Sequence, residues 1–394
     1  MILIISFNAR AIAHLAKKMD LEIAVVDFWC DQDLFPLTDK VFTVFKPSFK
    51  SYAVFPNPRE NEEKLVELAL EIISKEDIES VLIGSGLDDR PELWEKINTK
   101  APILGNKPSV VKEVRDMMVI HEKLKRANIK FPLTFQLSDI SNMKDLTMQI
   151  DYPLVIKPIM TLGGMGIYLI QNKSELIEFY NENSDNLDKY YIQEYIRGIN
   201  ISTTMVGDKN NFKLLSINEQ LIGLKSSKTN EPFKYCGNII PFDCSSKIAQ
   251  KIKDISLKIA RMFKLIGVFG IDFVLQNSEP VFMEINPRFP GTIELLEIVS
   301  QLNIVKIHLD AIQKIIPQKI EPFQGYAMKQ VLFASKSART PELGHVPHLY
   351  DIPFPNILLN PEDPICTIQL FDTSRKNLLQ KMDLFINQIY LKMY

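Results

Sequence analysis

Two apolar runs near residue 280 are separated by only three residues, and this arrangement constrains the fold more than any other feature of the chain. The runs are GIDFVLQ and PVFMEINP, with NSE between them. Two strand-like runs joined by so short a turn predict an antiparallel β-hairpin. If Leu275 lies opposite Val281, Asp272 faces Glu284 directly across the hairpin.

This opposed carboxylate pair predicts a metal site. Like charges that face each other across a buried ladder repel, and burial raises the cost. A divalent cation between Asp272 and Glu284 removes the conflict, and Asn286 adds a neutral oxygen on the same face of the strand. Three oxygens with room for water and phosphate are typical of magnesium rather than zinc. The guanidinium of Arg288 suits phosphate or carboxylate.

The alternative for this hairpin is that Asp272 and Glu284 pair with lysines at the surface of a sheet. A strand with one solvated face would alternate more openly between apolar and polar residues. These two strands instead resemble strands that are buried on both faces, and this pattern favours the metal site.

A glycine-rich loop earlier in the chain predicts an anion site. Lys157 closes the apolar run YPLVIKP, and TLGGMG follows with glycines at 163, 164 and 166. Such a loop can turn its backbone N–H groups towards a phosphate, and the lysine adds a positive charge. By itself the loop is equally consistent with a simple hairpin turn. The segment IQEYIRG then offers backbone groups to a base, with Glu194 and Asn200 able to bind hydroxyls or an amine, unless Glu194 is merely solvated.

The first part of the chain alternates strand-like and helix-like segments. ILIISF, NARAIAHLAKKMD, EIAVVDFW, EEKLVELALEIISK and VLIGSG follow one another. This alternation predicts a doubly wound parallel sheet, although the absence of GxGxxG leaves dinucleotide binding unsupported. We also expect one helix from NKPSVV to about residue 128, another at roughly 246–264, and a tail of short strands closed by the helix RKNLLQKMDLFINQIY.

Composition limits the partners. The 394 residues include 46 basic and 48 acidic side chains, so nothing indicates a nucleic acid or an anionic membrane as partner. The four cysteines have no metal-like spacing and are typical of free thiols in a reducing compartment. The N-terminus resembles a buried strand rather than a signal peptide. We therefore expect a soluble, cytoplasmic protein.

The motifs VIKPIMTLGGMGIYLI, IQEYIRGIN and GIDFVL…PVFMEINPR, in this order, resemble the ATP-grasp superfamily, in its carbamoyl-phosphate-synthase-like and biotin-carboxylase-like branch. The segments GSGLDDRPELW and ILGNKP also resemble a group of predicted ATP-dependent carboligases. The resemblance implies a mixed α/β and α+β fold. It implies a Rossmann-like N-terminal domain at 1–105, an ATP-grasp domain at 106–320 with a lid at about 132–190, and a small β-rich C-terminal domain at 321–394.

The resemblance also implies roles for single residues. ATP would be bound by Lys157, by the lid glycines Gly163, Gly164 and Gly166, by Glu194 and Ile196 beside adenine, and by Asn200 near the ribose. One or two Mg²⁺ ions, for which Mn²⁺ can substitute, would be held by Asp272, Glu284 and Asn286. Arg288 and Lys157 would be catalytic, with Arg288 stabilising an acyl or carboxy phosphate.

Two positions depart from the family pattern. A basic residue expected before the lid is Met117 here, and Arg115 is the candidate to replace it. The usual ribose-binding acid is Asn200, which can still form hydrogen bonds. Neither change touches the predicted metal ligands.

The acceptor side is less defined by the sequence. Asp88, Asp89 and Arg90 follow an apolar strand at its carboxyl end, where they could hold an amine and a carboxylate. Alternatively, Asp88 or Asp89 caps a helix that begins at Pro91. Lys225, Lys228 and Lys234 are further candidate anion contacts, although we expect at least two of them to be solvated loop lysines.

Three functions fit these patterns. The leading one is an ADP-forming ligase that activates a small carboxylate as an acyl phosphate for capture by an amine, and related enzymes are often homodimers. The others are a biotin-carboxylase-like activation of bicarbonate and a non-catalytic nucleotide sensor. A degenerate sensor would be expected to lose some of Asp272, Glu284, Asn286 and Arg288, and all four are present.

Overall fold

The N-terminal segment folds as a four-stranded parallel sheet. This computed structural model describes residues 1–52, 58–140, 150–160 and 163–394. The strands run β3-β2-β1-β4, with β1 (Ile2–Ser6), β2 (Ile23–Asp27), β3 (Val41–Thr43) and β4 (Ser80–Ile83). The helices of this segment are α1 (Arg10–Lys17), α2 (Pro58–Lys75) and α3 (Pro91–Asn98). Side chains from both faces of β1 enter apolar cores, as the expected doubly wound sheet requires.

Two short helices follow where the sequence predicts one. They are α4 (Pro108–Arg115) and α5 (Met117–Arg126). Asp116 interrupts them with ψ 102°, and its side chain accepts hydrogen bonds from the backbone N–H groups of Met118 and Val119. The continuous helix is therefore corrected to two helices, because Asp116 caps the second one.

A small antiparallel sheet covers the region of the predicted lid. Its order is β5-β8-β6-β7, with β5 (Thr134–Gln136), β6 (Leu154–Pro158), β7 (Tyr168–Ile170) and β8 (Tyr190–Glu194). The helix α6 (Lys173–Glu182) packs on it, and a separate apolar core lies beneath. Residues 141–149 of the predicted lid, and Thr161 and Leu162 of the predicted glycine loop, lie outside the described residues.

The main sheet has eight strands in the order β13-β12-β9-β10-β11-β14-β18-β16. The strands are β9 (Ile199–Asp208), β10 (Phe212–Ile222), β11 (Tyr235–Ile240), β12 (Ile266–Gln276), β13 (Glu279–Asn286), β14 (Tyr326–Phe333), β16 (Leu349–Tyr350) and β18 (Pro364–Asp372). A two-stranded sheet pairs β15 (Ala338–Arg339) with β17 (Leu358–Leu359). The tail strands thus extend the main sheet, and the division into three domains stays a prediction.

Four more helices complete the described structure. They are α7 (Ser246–Phe263), α8 (Ile293–Ser300), α9 (Ile304–Ile312) and α10 (Arg375–Met393). The apolar stripe of α7 packs against β12 and β13 in one core, and α8 and α9 join α1 in another. Within the described ranges no helix is both long and apolar enough to cross a membrane.

The β12–β13 hairpin places Asp272 opposite Glu284, as the sequence predicts. Between this pair and the turn, however, the residues pair in a different register from the predicted one. The turn has two residues, Asn277 and Ser278, both with positive φ, so Leu275 pairs with Pro280 instead of Val281. A β-bulge at Met283 then shifts the pairing by one residue. Without this bulge Met283 would lie opposite Asp272, so the bulge is what directs Glu284 at its partner.

Candidate functional site

A cavity of about 700 Å³ lies between the lid sheet, the main sheet and the carboxyl end of the N-terminal sheet. This volume is in the range of small-molecule sites. Most of the site residues predicted from the sequence line it. They are Arg115, Lys157, Gly163, Gly164, Glu194, Ile196, Asn200, Asp272, Glu284, Asn286 and Arg288.

The carboxylate pair lies in the wall of this cavity. Asn286 Nδ2 donates a 2.9 Å hydrogen bond to Asp272 Oδ2, and Glu284 faces Asp272 across the ladder. Burial and then the charge of Glu284 raise the pKa of Asp272 to about 8. Burial opposes ionisation of Glu284 as well, but the positive charges of Arg115 and Lys157 outweigh it and lower the pKa of Glu284. The protein alone therefore stabilises at most one negative charge on this pair of carboxyl groups. This is expected of a site that binds an added cation.

Two consecutive aspartates of the loop between β4 and α3 hold the two arginines of the site. Arg288 Nε lies 3.1 Å from both carboxylate oxygens of Asp88, and Arg115 Nε donates to Asp89 Oδ1 at 2.6 Å. Arg115 Nη1 is also 3.6 Å from Glu284 Oε2. The loop after β4 thus positions Arg288 of the motif PVFMEINPR and Arg115 of α4.

Lys157 supplies a positive charge that the described residues leave without a hydrogen-bonding partner. It lies near the end of β6 and is partly buried in the cavity wall. Burial, and secondarily the nearby Arg115, lowers its pKa, while Glu284 acts in the opposite direction. A cation held in this way can bind an anion that enters the cavity.

The glycine loop connects the lid to the main sheet. Gly163, Gly164 and Gly166 have φ values of +61°, +81° and +72°. The carbonyl oxygen of Gly163 accepts a 2.9 Å hydrogen bond from the backbone N–H of Tyr235. A Cβ at position 164 would lie 2.0 Å from the carbonyl oxygen of Phe233, so this position requires glycine. Gly166 does not line the cavity.

The far end of the cavity is apolar on both sides. Val155 of the lid sheet lines the cavity together with Ile196, Val274 and Met283, and the last three pack in one small apolar cluster. Glu194 is held at its place by a 3.2 Å hydrogen bond from the backbone N–H of Leu133. This end can accept a flat ring between two sheets.

Of the residues predicted for the acceptor, Asp88 lines the cavity, whereas Asp89, Arg90 and Lys225 do not. Asp89 binds Arg115, and Lys225 lies exposed in a short 3₁₀ turn. Arg90 is engaged by three carboxylates, those of Glu62, Glu63 and Glu92. The alternative, a cap by Asp88 or Asp89, is also corrected, because Arg90 occupies the N-cap position of α3.

Several residues that line the cavity were not predicted from the sequence. Gln220 and Tyr235 lie on β10 and β11, while Asp31 and Lys329 come from the two ends of the chain. Gln220 hydrogen-bonds to Asp272. Lys329 interrupts the apolar strand YAMKQVLF, and that interruption was the available signal.

The donor set fits magnesium better than zinc. Among the described residues no three His, Cys, Asp or Glu side chains cluster so that they could hold a metal ion. The set here has two carboxylates, Asp272 and Glu284, and its third oxygen is the Asn286 amide. Mg²⁺ is typically bound by one or two carboxylates together with substrate phosphates and water. Lys157, Arg115 and Arg288 stand around the pair where such phosphates would lie.

Comparisons with known proteins agree with this geometry. Residues 114–292 match the family described as the ATP-grasp domain. An uncharacterised protein of Methanocaldococcus jannaschii is 26% identical over 373 residues, which cover 93% of this chain and 87% of that protein. The carbamoyl phosphate synthase large chain of Helicobacter pylori is 21% identical over 75% of this chain, but the match spans only 28% of that protein.

A solved structure shares the fold along nearly the whole chain. The biotin carboxylase domain of Hydrogenobacter thermophilus 2-oxoglutarate carboxylase superposes with a TM-score of 0.75 at 18% identity, covering 97% of this chain and 88% of that domain. That domain was crystallised as a dimer with MgADP, ADP and bicarbonate. The chain therefore contains an ATP-grasp domain, at residues 114–292.

Proposed function

We propose that this protein is an ATP- and Mg²⁺-dependent ligase that activates a small carboxylate as an acyl phosphate, which an amine then captures with release of ADP and phosphate. One observation carries the proposal. Asp272 and Glu284 oppose each other inside a cavity that also holds Lys157, whose ammonium has no partner in the described part of the chain. These are the charges that a magnesium–triphosphate group would complement.

Different residues along the cavity would bind different parts of MgATP. Asp272, Glu284 and Asn286 would hold Mg²⁺, which when bound offsets the negative charge of phosphate oxygens. Lys157 and Arg115 would bind the phosphates, and the loop of Gly163, Gly164 and Gly166 would close over them. The nucleoside would lie at the apolar end, beside Glu194, Ile196 and Asn200.

Arg288 would stabilise the charge that builds up on the activated carboxylate. A carboxylate oxygen of the substrate would form a bond to the terminal phosphorus of ATP while the bond between that phosphorus and ADP breaks. The amine nitrogen then bonds to the acyl carbon, phosphate leaves, and the amine loses a proton. Asp88 holds Arg288 by its Nε, so the guanidinium is oriented before substrate arrives.

Bicarbonate activation is the second candidate. It is supported by the biotin carboxylase domain whose structure contains bicarbonate and which shares the fold over 97% of this chain. The same metal and phosphate residues would serve both reactions, so the two candidates differ in the acid that is activated and in its acceptor. A homodimer is supported by the dimeric state of that domain.

ADP release separates the candidates. Wild type would be incubated with ATP and Mg²⁺ and with pools of small carboxylates, amines or bicarbonate. Glu284→Gln serves as the site variant and Glu178→Gln, an exposed residue of α6, as the matched control. We expect ADP release that requires a carboxylate and an amine together, with a loss of about a hundredfold or more in Glu284→Gln alone. Release with bicarbonate alone would favour the second candidate, and equal rates in wild type and Glu284→Gln would contradict both.

A further inference from the structure

The cavity continues beyond Arg288 into a region that the phosphate chemistry does not use. This distal region lies between the loops after β1 and β2 and the strands β14 and β18. Its walls include Asn8, Trp29, Asp31, Tyr52, Lys329 and Cys366. It therefore joins the two ends of the chain next to the place where the substrate carboxylate would react.

Asp31 is the acidic group of the distal region. Its side chain is only 5% exposed but still lines the cavity. Its one hydrogen bond is a 3.2 Å contact from Asn8 Nδ2 to Oδ2, and Oδ1 has no partner among the described residues. Burial, and then the charges of Asp27 and Asp351, raises its pKa. A buried carboxylate without a cation is costly, and a ligand ammonium would remove that cost.

The neighbouring acids do not share this property. Asp33 and Asp351 both contact Arg10, at 3.2 Å and 2.7 Å. Asp27 accepts hydrogen bonds from the backbone N–H groups of Ala9 and Cys30, both at 2.8 Å. Asp27 thus shapes the loops that present Trp29 and Asp31. Of these four acids, Asp31 is the one that the described residues leave without a cation or a backbone donor.

Lys329 is the cationic group of the distal region. No hydrogen bond or ion pair joins its ammonium to the described part of the protein, and its Nζ lies 5.9 Å from the centroid of the Tyr235 ring. A Cβ at Gly291 would lie 3.3 Å from its Nζ, so it stands over the loop that follows Arg288. Lys329 and Arg288 therefore flank the junction between the distal region and the phosphate residues.

Aromatic and apolar groups complete the lining of the distal region. Trp29 meets Tyr52 edge to face, with ring centroids 4.9 Å apart. Ile365 and Cys366 of β18 line the same region. An aromatic wall next to a carboxylate favours an ammonium group, because both attract positive charge.

We propose that the distal region binds a zwitterionic amino acid, with its ammonium group on Asp31 beside Trp29 and its carboxylate towards Lys329 and Arg288. The inference rests on the proposed function in one respect: this carboxylate would be the one that is activated. Binding of the zwitterion itself needs neither ATP nor turnover.

The test is direct binding to the full chain without nucleotide. The twenty standard amino acids would be screened by thermal shift, and any that stabilises the protein would be titrated by calorimetry. We expect at least one to bind. Its deaminated acid and its carboxamide should each bind about tenfold more weakly or worse, because each removes one of the two charges.

Variants assign the charges. Asp31→Asn and Lys329→Met should each lower the affinity about tenfold or more, whereas the exposed controls Asp39→Asn and Lys253→Met should not. Binding of MgATP, measured in parallel, should survive in both site variants and shows that they are folded. Failure of all twenty to bind wild type, or unchanged affinity in both site variants, would overturn the inference. If wild type did not bind MgATP, that result would instead contradict the proposed function.

Discussion

Two buried charge clusters of this protein show how similar groups can serve structure or binding. In the first, Arg10 makes a bidentate contact with Glu294, at 2.7 and 2.6 Å, and also contacts Asp351 and Asp33. In the second, Asp272 opposes Glu284, and Lys157 has no partner within the described residues. The first cluster is complete without a ligand and joins α1 to α8 and the tail. The second is incomplete, and such incompleteness is typical of binding sites.

Removal of Arg10 should give the largest change in stability. Arg10→Met leaves the buried Glu294 and the partly buried Asp351 and Asp33 without their cation, so the free energy of unfolding should fall by about 3–5 kcal/mol. The free energy of unfolding would be measured by urea denaturation. Arg126→Met, whose wild-type side chain is exposed in α5, is the matched control and should change it by less than about 0.5 kcal/mol. A similar small change in both variants would show that the first cluster does not hold the fold.

His308 extends the comparison to a buried group that is satisfied only when neutral. Nδ1 accepts a 2.9 Å hydrogen bond from the backbone N–H of Val268, and Nε2 lies 2.9 Å from the carbonyl oxygen of Leu104. Burial lowers the pKa of His308 to about 4, so the unfolded chain binds this proton first. Stability should therefore fall by about 3 kcal/mol from this residue as the pH drops from about 6.5 to 4.

The difference between wild type and His308→Gln isolates this effect. Unfolding of both proteins would be followed across that pH window, and the variant should lose less stability on acidification. His345→Gln, at an exposed position, should retain the wild-type slope. Parallel curves for wild type and His308→Gln would contradict the assignment.

Asp272→Asn should act on stability with the opposite sign to Arg10→Met. It removes one of two opposed carboxylates, so the free energy of unfolding should rise by about 1–2 kcal/mol while Mg²⁺-dependent activity is lost. Thermal unfolding and ADP release measure the two effects on one sample. Asp383→Asn, exposed on α10, should change neither. A destabilised Asp272→Asn protein would mean that the pair contributes to the fold rather than to a site.

The lid loop should give the smallest effect. Gly164→Ala places a methyl group against the Phe233 carbonyl, whereas Gly163→Ala has the same backbone strain and meets nothing within 4 Å. Both substitutions cost about 1 kcal/mol through positive φ. Only Gly164→Ala should weaken MgATP binding further, by about fivefold or more, in a calorimetric titration. Equal affinities for MgATP in the two variants would contradict a role in nucleotide binding for the contact between Gly164 and Phe233.

The sequence was most informative where local pattern decides structure. Opposed Asp272 and Glu284 and the glycine loop near Lys157 follow from strand periodicity and turn chemistry, and the structure brings them into one cavity. The bulge at Met283 escaped prediction, because it depends on a two-residue turn that NSE does not specify alone.

Other features depend on contacts between distant parts of the chain. Asp88 and Asp89 resemble a helix cap in sequence, yet they hold Arg288 and Arg115, which lie far along the chain. Asp31 and Lys329 are separated by most of the chain and share a cavity only because the tail strands extend the main sheet. No local pattern contains that information.

The most direct test of the central claim is calorimetric ATP binding with Mg²⁺ and with EDTA. The claim is that Asp272 and Glu284 are opposed because they hold a magnesium–phosphate group. Wild type should bind ATP at least about tenfold more tightly with Mg²⁺ than with EDTA, and Glu284→Gln should lose that difference. Equal affinities of wild type under both conditions, or an undiminished Mg²⁺ effect in Glu284→Gln, would contradict the claim.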